Sequence, residues 1–178
     1  YVESFDKHNS GGKADHMKVA GRIKNEITIH SGYSVSIDTI GEGAGVYSRA
    51  VEICQESNGK LDGETIISCK YSEGAKTSSG KDLTDITGQY TFANMRAYLF
   101  WAVRDWLNPD NNTGAMLPPG GSFMEEATEI KWSFLSNGRI IIEPKEDIKE
   151  RLGHSIDEFD ALANTFHPKA VEMTGVNA

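Results

Sequence analysis

Apolar positions along this chain switch between two periods. In YVESFD, residues 1–6, they alternate, which predicts a strand, and HNSGGK after it reads as a turn. Met17, Val19, Ile23 and Ile27 fall near helical spacing and predict a helix from about Asp15 to Glu26. YSVSID, residues 33–38, returns to the strand pattern. From Gly43 to about Gln55 the helical period resumes, with Val46, Ala50, Val51 and Cys54 near one face. ETIISCKY, residues 64–71, predicts a third strand. Strands alternating with helices point to an α/β fold with parallel pairing.

The second half reads differently. A polar stretch rich in Gly, Ser and Thr at about 72–90 predicts a long surface loop. Residues 91–107, TFANMRAYLFWAVRDWL, carry Phe92, Met95, Leu99, Val103 and Trp106 three to four apart, so these aromatics are expected in a buried helix face. SFMEEATEI predicts a short helix. At about 131–143, IKWSFLSNGRIIIE predicts a hairpin, with Asn137-Gly138 as a type I′ turn. KEDIKERLG predicts a helix closed by Gly153. SIDEFDALANTF, residues 155–166, predicts a last helix with Ser155 as its N-cap.

A chain of 178 residues suffices for one domain, and residues 1–178 are read as one. No apolar run approaches the roughly 20 residues that span a bilayer, and no secretory signal is visible, although the chain begins at Tyr1 without a Met. Cys54 and Cys69 form no Cys-x-x-Cys pair, which argues against a zinc site or a disulfide scaffold and fits a reducing cytosol. The formal net charge of −8 counts against simple coating of nucleic acid. It leaves room for an enzyme that holds metal ions with carboxylates and touches DNA locally.

Two stretches carry candidate chemistry. In SVSIDTIGEGAGVYSRA, residues 34–50, Asp38 ends a strand and Glu42 sits in the glycine loop that follows. The end of a parallel strand is where α/β proteins place their sites. Two carboxylates would repel a pyrophosphate, so a ligand here would be a divalent cation, and the glycines serve to bring helix and strand close. The alternative for Asp38 is a turn or cap acid. In the last helix, Asp157 and Asp160 lie three apart on one face. The helix dipole accounts for Asp157, whereas Asp160 stands among Phe159, Ala161 and Leu162. No Gly-x-Ser-x-Gly motif and no histidine pair at metal-ligand spacing occurs.

Four blocks in order resemble the C-terminal nuclease domain of the large terminase subunit of tailed bacteriophages. They are SIDTIGEGAGVYSRAVE, YTFANMRAYLFWAVRDWL, GRIIIEPKEDIKERLG and HSIDEFDALANTF, together spanning residues 34–166. The resemblance implies a ribonuclease-H-like fold, a mixed central sheet flanked by helices. Asp38 matches the family's acid after the central strand and Asp160 the acid before Ala-Leu. Asp157 matches an additional ligand of some relatives. Asn94 and Arg96 fall on the Asn-x-Arg-Ala helix, and Lys145 and Arg151 on the basic segment. These four either support the fold or touch phosphate, with Arg96, Lys145 and Arg151 as the candidate DNA contacts. Ile156 stands where the family often has Pro. YVESFD matches the family's third strand, so the strand bearing the first acid is expected before Tyr1, and residues 1–178 are expected to carry two of the three acids.

By resemblance, then, the chain is expected to cut double-stranded DNA during genome packaging, with two Mg²⁺ or Mn²⁺ ions held by carboxylates. Its partners would be the terminase ATPase domain, the small terminase subunit and the portal protein, with no membrane, in the cytoplasm of the infected host. Two alternatives stay open: another ribonuclease-H-like nuclease such as a resolvase or exonuclease, and a non-catalytic docking module.

Overall fold

Val35–Asp38 (β1) and Ile66–Cys69 (β2) pair in parallel, with Val35 opposite Ile66 and Asp38 opposite Cys69. The computed structural model that shows this describes residues 15–30, 33–117 and 121–170. The strand expected at 1–6 and the turn after it lie outside them. Contacts gather into two compact units: the described residues through Lys70 with Lys169 and Ala170, and Tyr71–Pro168.

In the first unit, β1 and β2 are connected through the helix Gly43–Glu56 (α2), and His16–Ile29 (α1) packs on α2. Ala20, Ile27, Ala50, Cys54 and Ile66 form the core, with Ile23, Val35, Ile37 and Val51 against it. Cys54 and Cys69 are both buried thiols. Asp15 is the cap of α1 and not its first residue: its carboxylate accepts from the Met17 amide at 3.1 Å and the Lys18 amide at 3.3 Å. The helix runs three residues past Glu26 because Ile27 still has a core to enter. β2 is shorter than predicted at both ends, since Gly63–Thr65 closes into a 3-10 turn before it.

The second unit is built on Met95–Leu107 (α3). Phe92, Met95, Leu99 and Val103 are buried, as the spacing predicted, whereas Trp106 is only half-buried; Phe100 and Trp101, off that spacing, are buried as well. The helix begins later than expected because Thr91 and Phe92 are drawn into pairing: the Ile140 amide donates to the Thr91 carbonyl at 2.9 Å and the Ala93 amide to the Ile140 carbonyl at 2.8 Å. Asn94 then caps α3 by accepting from the Ala97 amide at 3.0 Å. Phe123–Glu129 (α4), the antiparallel strands Trp132–Phe134 (β3) and Ile140–Ile142 (β4), Lys145–Leu152 (α5) and Asp157–Asn164 (α6) complete the unit.

Two turn predictions are corrected. The β3–β4 loop is not a two-residue type I′ turn. The Gly138 amide donates to the Leu135 carbonyl at 2.9 Å, and Gly138 alone takes a positive φ, +78°. This is the three-residue hairpin loop in which a left-handed glycine follows an ordinary turn. Ser155 is not the cap of α6 either; the helix starts at Asp157 with no side-chain bond from its own cap position, Ile156.

The polar loop is tightly built. Lys76 bridges to Asp82 and Thr84 to Thr91, and buried Asp85 gathers the segment after it. Its carboxylate accepts from the Thr87 hydroxyl at 2.5 Å and from the Tyr90, Gln89 and Thr87 amides at 2.8, 2.9 and 3.3 Å. Burial alone would raise the Asp85 pKa, but the Thr87 hydroxyl and these amides together hold it below the usual carboxylate value. Its stabilisation is therefore full above the unfolded pKa and fades as pH falls through the lower folded value. Asp85→Asn should cost about 1–2 kcal/mol at neutral pH and less at pH 3. Thermal unfolding at the two pH values checks this; an equal loss at both would show that ionisation is irrelevant.

Candidate active site

Asp160 is held by three elements of its own unit. It lies on α6, its backbone amide donating to the Ile156 carbonyl at 2.9 Å. Lys145, the first residue of α5, brings its Nζ to 2.6 Å from Asp160 Oδ2. The Tyr71 hydroxyl lies 3.3 Å from both Asp160 Oδ1 and the Asp160 carbonyl oxygen, and the Lys145 ammonium sits 4.9 Å from the Tyr71 ring centre. Arg96 of α3 stacks on Phe100 at 4.7 Å and donates from Nη1 to the Glu143 carbonyl at 2.6 Å. Its Nε and Nη2 are buried and have no hydrogen-bond partner.

The Asp160 side chain is only 17% exposed. Burial pushes its pKa above the usual carboxylate value, and Lys145, then Arg96 and Tyr71, pull the other way. A buried carboxyl whose ionised form needs a neighbouring cation is a natural ligand for a hard metal ion. Arg96 is likewise strained by burial, which lowers its pKa, while the Asp160 charge favours its ionised form.

α5 and its ends explain how Lys145 reaches this place. Glu146 and Asp147 lie in its first turn and Lys149 and Arg151 in its last, matching the helix dipole, and Gly153 closes it at φ +78°. Arg151 is already engaged: its Nη1 lies 2.8 Å from Glu143 Oε2 and its Nη2 2.6 Å from the Glu129 carbonyl. A phosphate at Arg151 would compete with these oxygens. Asp157 is exposed on the first turn of α6.

In the first unit, Asp38 ends β1 half-buried, and its Oδ1 accepts from the Ile40 amide at 3.0 Å. The glycine reading holds here. A Cβ at Gly43 would collide with the Asp38 carbonyl, so only glycine lets α2 start this close to the strand, and Gly41 turns the chain at φ +74°. Glu42 is exposed at the head of α2.

Solved structures share this arrangement of elements. The nuclease domain of the large terminase subunit gp2 of bacterial virus Sf6 superposes with a TM-score of 0.60 at 21% identity, covering 87% of this chain and 73% of that one. The chain has the fold of a terminase nuclease domain. A lysine-to-alanine mutant of that domain with manganese gives 0.59 at 21% identity, over 85% of this chain and 73% of the other. The same mutant with manganese and beta-thujaplicinol gives 0.59 at 21% over 87% and 73%. No family model and no curated protein matches the sequence. The expected ribonuclease-H-like α/β fold is thus met by the terminase nuclease fold.

Sequence reasoning missed two supports of this terminase-like unit. Tyr71 was read only as the end of a strand. Glu126 of α4, read as one more helix acid, is 1% exposed and accepts at Oε2 from the Phe159 amide at 2.7 Å, in the first turn of α6. Its Oε1 receives the Ser122 hydroxyl at 2.6 Å. In return, Glu158 of α6 accepts from the Phe123 amide, the first of α4, at 3.0 Å. Each helix caps the other. The one visible signal was an acid, Glu126, between Phe123 and Ala127 on an apolar helix face.

Among the described residues, no three His, Cys, Asp or Glu side chains gather as a metal cage. Mg²⁺ and Mn²⁺ do not require one, because one or two carboxylates with water and substrate phosphate suffice. Asp160 and Asp38, in separate units, each offer the carboxylate oxygens that such hard ions take. The donor chemistry fits the metal.

Proposed function

We propose that this chain is the metal-dependent nuclease domain of a phage large terminase, cutting double-stranded DNA during genome packaging. The observation that carries this reading is the buried acid Asp160, clamped by Lys145 and Tyr71, in a chain with the terminase nuclease fold. Asp38 and Asp160 would each be a ligand to Mg²⁺ or Mn²⁺, and Asp157 an outer one. Two such ions would activate water and stabilise the leaving oxygen of the phosphodiester.

The chain's own residues have definite tasks in this reading. Lys145 keeps Asp160 ionised despite its burial and offers a positive charge to an approaching phosphate. Arg96, with two guanidinium nitrogens lacking partners, supplies a second positive charge beside Asp160. Tyr71 fixes the Asp160 rotamer through its hydroxyl. DNA contact would be to phosphates and largely independent of sequence. The ATPase domain, small subunit and portal protein would be its partners, in the host cytoplasm.

The test is nicking of supercoiled plasmid with Mn²⁺ or Mg²⁺. It should be run on the chain alone and on the chain extended by whatever its gene encodes before Tyr1. Asp38→Asn should remove nicking without moving the melting temperature by more than a few degrees. Cleavage by both forms that is indifferent to EDTA, or that survives Asp38→Asn, would defeat the proposal.

A further inference from the structure

Helix α6 does not close its own beginning. Its cap position, Ile156, makes no side-chain bond to the helix. The amide of Phe159, the third helical residue, is where a cap's own side chain normally donates its acceptor. Here the acceptor comes from α4: Glu126 Oε2 lies 2.7 Å away, on a residue 1% exposed. The Phe159 ring is held by neighbouring helices too. It stacks on Phe123 of α4 at 5.6 Å with 20° between the planes, and meets Phe100 of α3 edge-on at 4.8 Å. Backbone and side chain of the residue immediately before Asp160 are therefore both fixed from outside α6.

The clamp runs in both directions. Glu158 accepts from the Phe123 amide at 3.0 Å. A Cβ at Gly121 would come within 2.7 Å of Glu158 Oε2, so the chain entering α4 passes this carboxylate only as glycine. The Ser122 hydroxyl donates to Glu126 Oε1 at 2.6 Å and occupies its second oxygen. Burying an acid is a costly way to finish a helix that a serine at its own cap position would finish. What the buried acid adds is a fixed place: a self-capped helix is free to slide over its neighbours, whereas α6 is tied at the residue whose successor is Asp160. Small displacements matter there, since Lys145 Nζ stands 2.6 Å from one Asp160 oxygen and the Tyr71 hydroxyl 3.3 Å from the other.

We propose that Glu126 is a positioning residue for the nuclease site: through the Phe159 amide it sets where α6 presents the Asp160 carboxylate. This rests on Asp160 being a ligand to Mg²⁺ or Mn²⁺, as proposed above. Groups in a metal or catalytic site must be held to within about 0.5 Å by residues whose own conformations are locked. A misplacement of about 1 Å can lower a rate about a hundredfold. Glu126 touches neither metal nor DNA in this reading, so its loss acts on metal affinity and on kcat and leaves DNA affinity alone.

The test compares Glu126→Ala with Glu126→Gln and with Asp85→Asn, which lowers stability through the polar loop instead. Mn²⁺ affinity is read by calorimetry and plasmid nicking at saturating Mn²⁺, on the chain with its upstream extension, well below the lowest melting temperature. Glu126→Ala should weaken Mn²⁺ binding about tenfold and lower kcat about tenfold, while the DNA concentration at half-maximal rate moves less than about twofold. Glu126→Gln should stay within about twofold of the parent in all three, because its carbonyl oxygen accepts from the Phe159 amide while its NH₂ donates to Ser122 Oγ. Asp85→Asn should lose stability and neither metal affinity nor rate. If Glu126 serves the fold alone, Glu126→Ala behaves as Asp85→Asn does, and that result overturns the proposal. Equal losses in the Ala and Gln variants overturn it as well. If Glu126→Ala fails to fold, Glu126→Asp takes its place, since it draws the carboxylate back from Phe159 by one methylene: a several-fold loss of Mn²⁺ affinity supports the proposal and parental affinity overturns it. A parent that neither binds Mn²⁺ nor nicks removes the nuclease reading and this role of Glu126 with it, whereas an active parent with an equally active Glu126→Ala removes the role alone.

Discussion

Asp160→Asn is expected to lower metal-dependent nicking by roughly a thousandfold and yet leave the protein at least as stable as its parent at neutral pH. The activity loss follows from the proposed ligand role: metal-ion stabilisation of the transition state is worth several kcal/mol, and each 1.4 kcal/mol is a factor of ten. The stability effect follows from burial. The folded state raises the Asp160 pKa, so the folded protein holds this proton more tightly than the unfolded chain does. The contribution is fully favourable below the unfolded pKa and is lost as pH rises through the raised folded value. By pH 7 the ionised, buried carboxylate is a burden that an asparagine of the same shape does not carry. Lys145 loses its anion, but its side chain is 40% exposed and can turn to water. Melting curves of parent and variant at pH 4 and pH 7 check the sign: the variant gains ground at the higher pH. A large loss of melting temperature at pH 7 would mean that the Lys145 pair is a structural tie, and unchanged nicking would remove Asp160 from the chemistry.

Glu126→Ala should destabilise the second unit by about 3 kcal/mol. The carboxylate is buried, and its removal leaves the Phe159 amide at the head of α6 without a partner, which costs about 1–3 kcal/mol, and strands the Ser122 hydroxyl as well. A fall of about 6–12 °C in melting temperature corresponds to that loss for a chain of this size. Glu126→Gln keeps an acceptor oxygen and should recover most of it. Glu158→Gln should cost less than Glu126→Ala, because the Glu158 bond serves α4 and its side chain is not fully buried. Equal losses for Glu126→Ala and Glu126→Gln would show that hydrogen bonding to α6 is not the cause.

Much of the frame was readable before any coordinates. Spacing located α2, α3, α5 and α6 to within a few residues, because an amphipathic face repeats locally whatever it packs against. The order of four short blocks pointed to the fold now seen. Boundaries slipped where a distant partner intervened: Thr91 and Phe92 were claimed by Ile140, and Tyr71 left β2 so that its carbonyl could accept from the Arg96 amide at 3.1 Å. Asn137-Gly138 announced a tight hairpin but not its type, since the type depends on which residues the ladder pairs on either side.

The sequence by itself determined the alternation of elements, the buried aromatic face of α3, and the identity of the acids worth testing, all of which follow from patterns within a few residues. Only the tertiary structure decided that Lys145 and Tyr71 grip Asp160 and that Glu126 and Glu158 cap each other's helices. These depend on contacts between residues 15 to 89 positions apart, and separations of that size leave no periodic trace in a single chain.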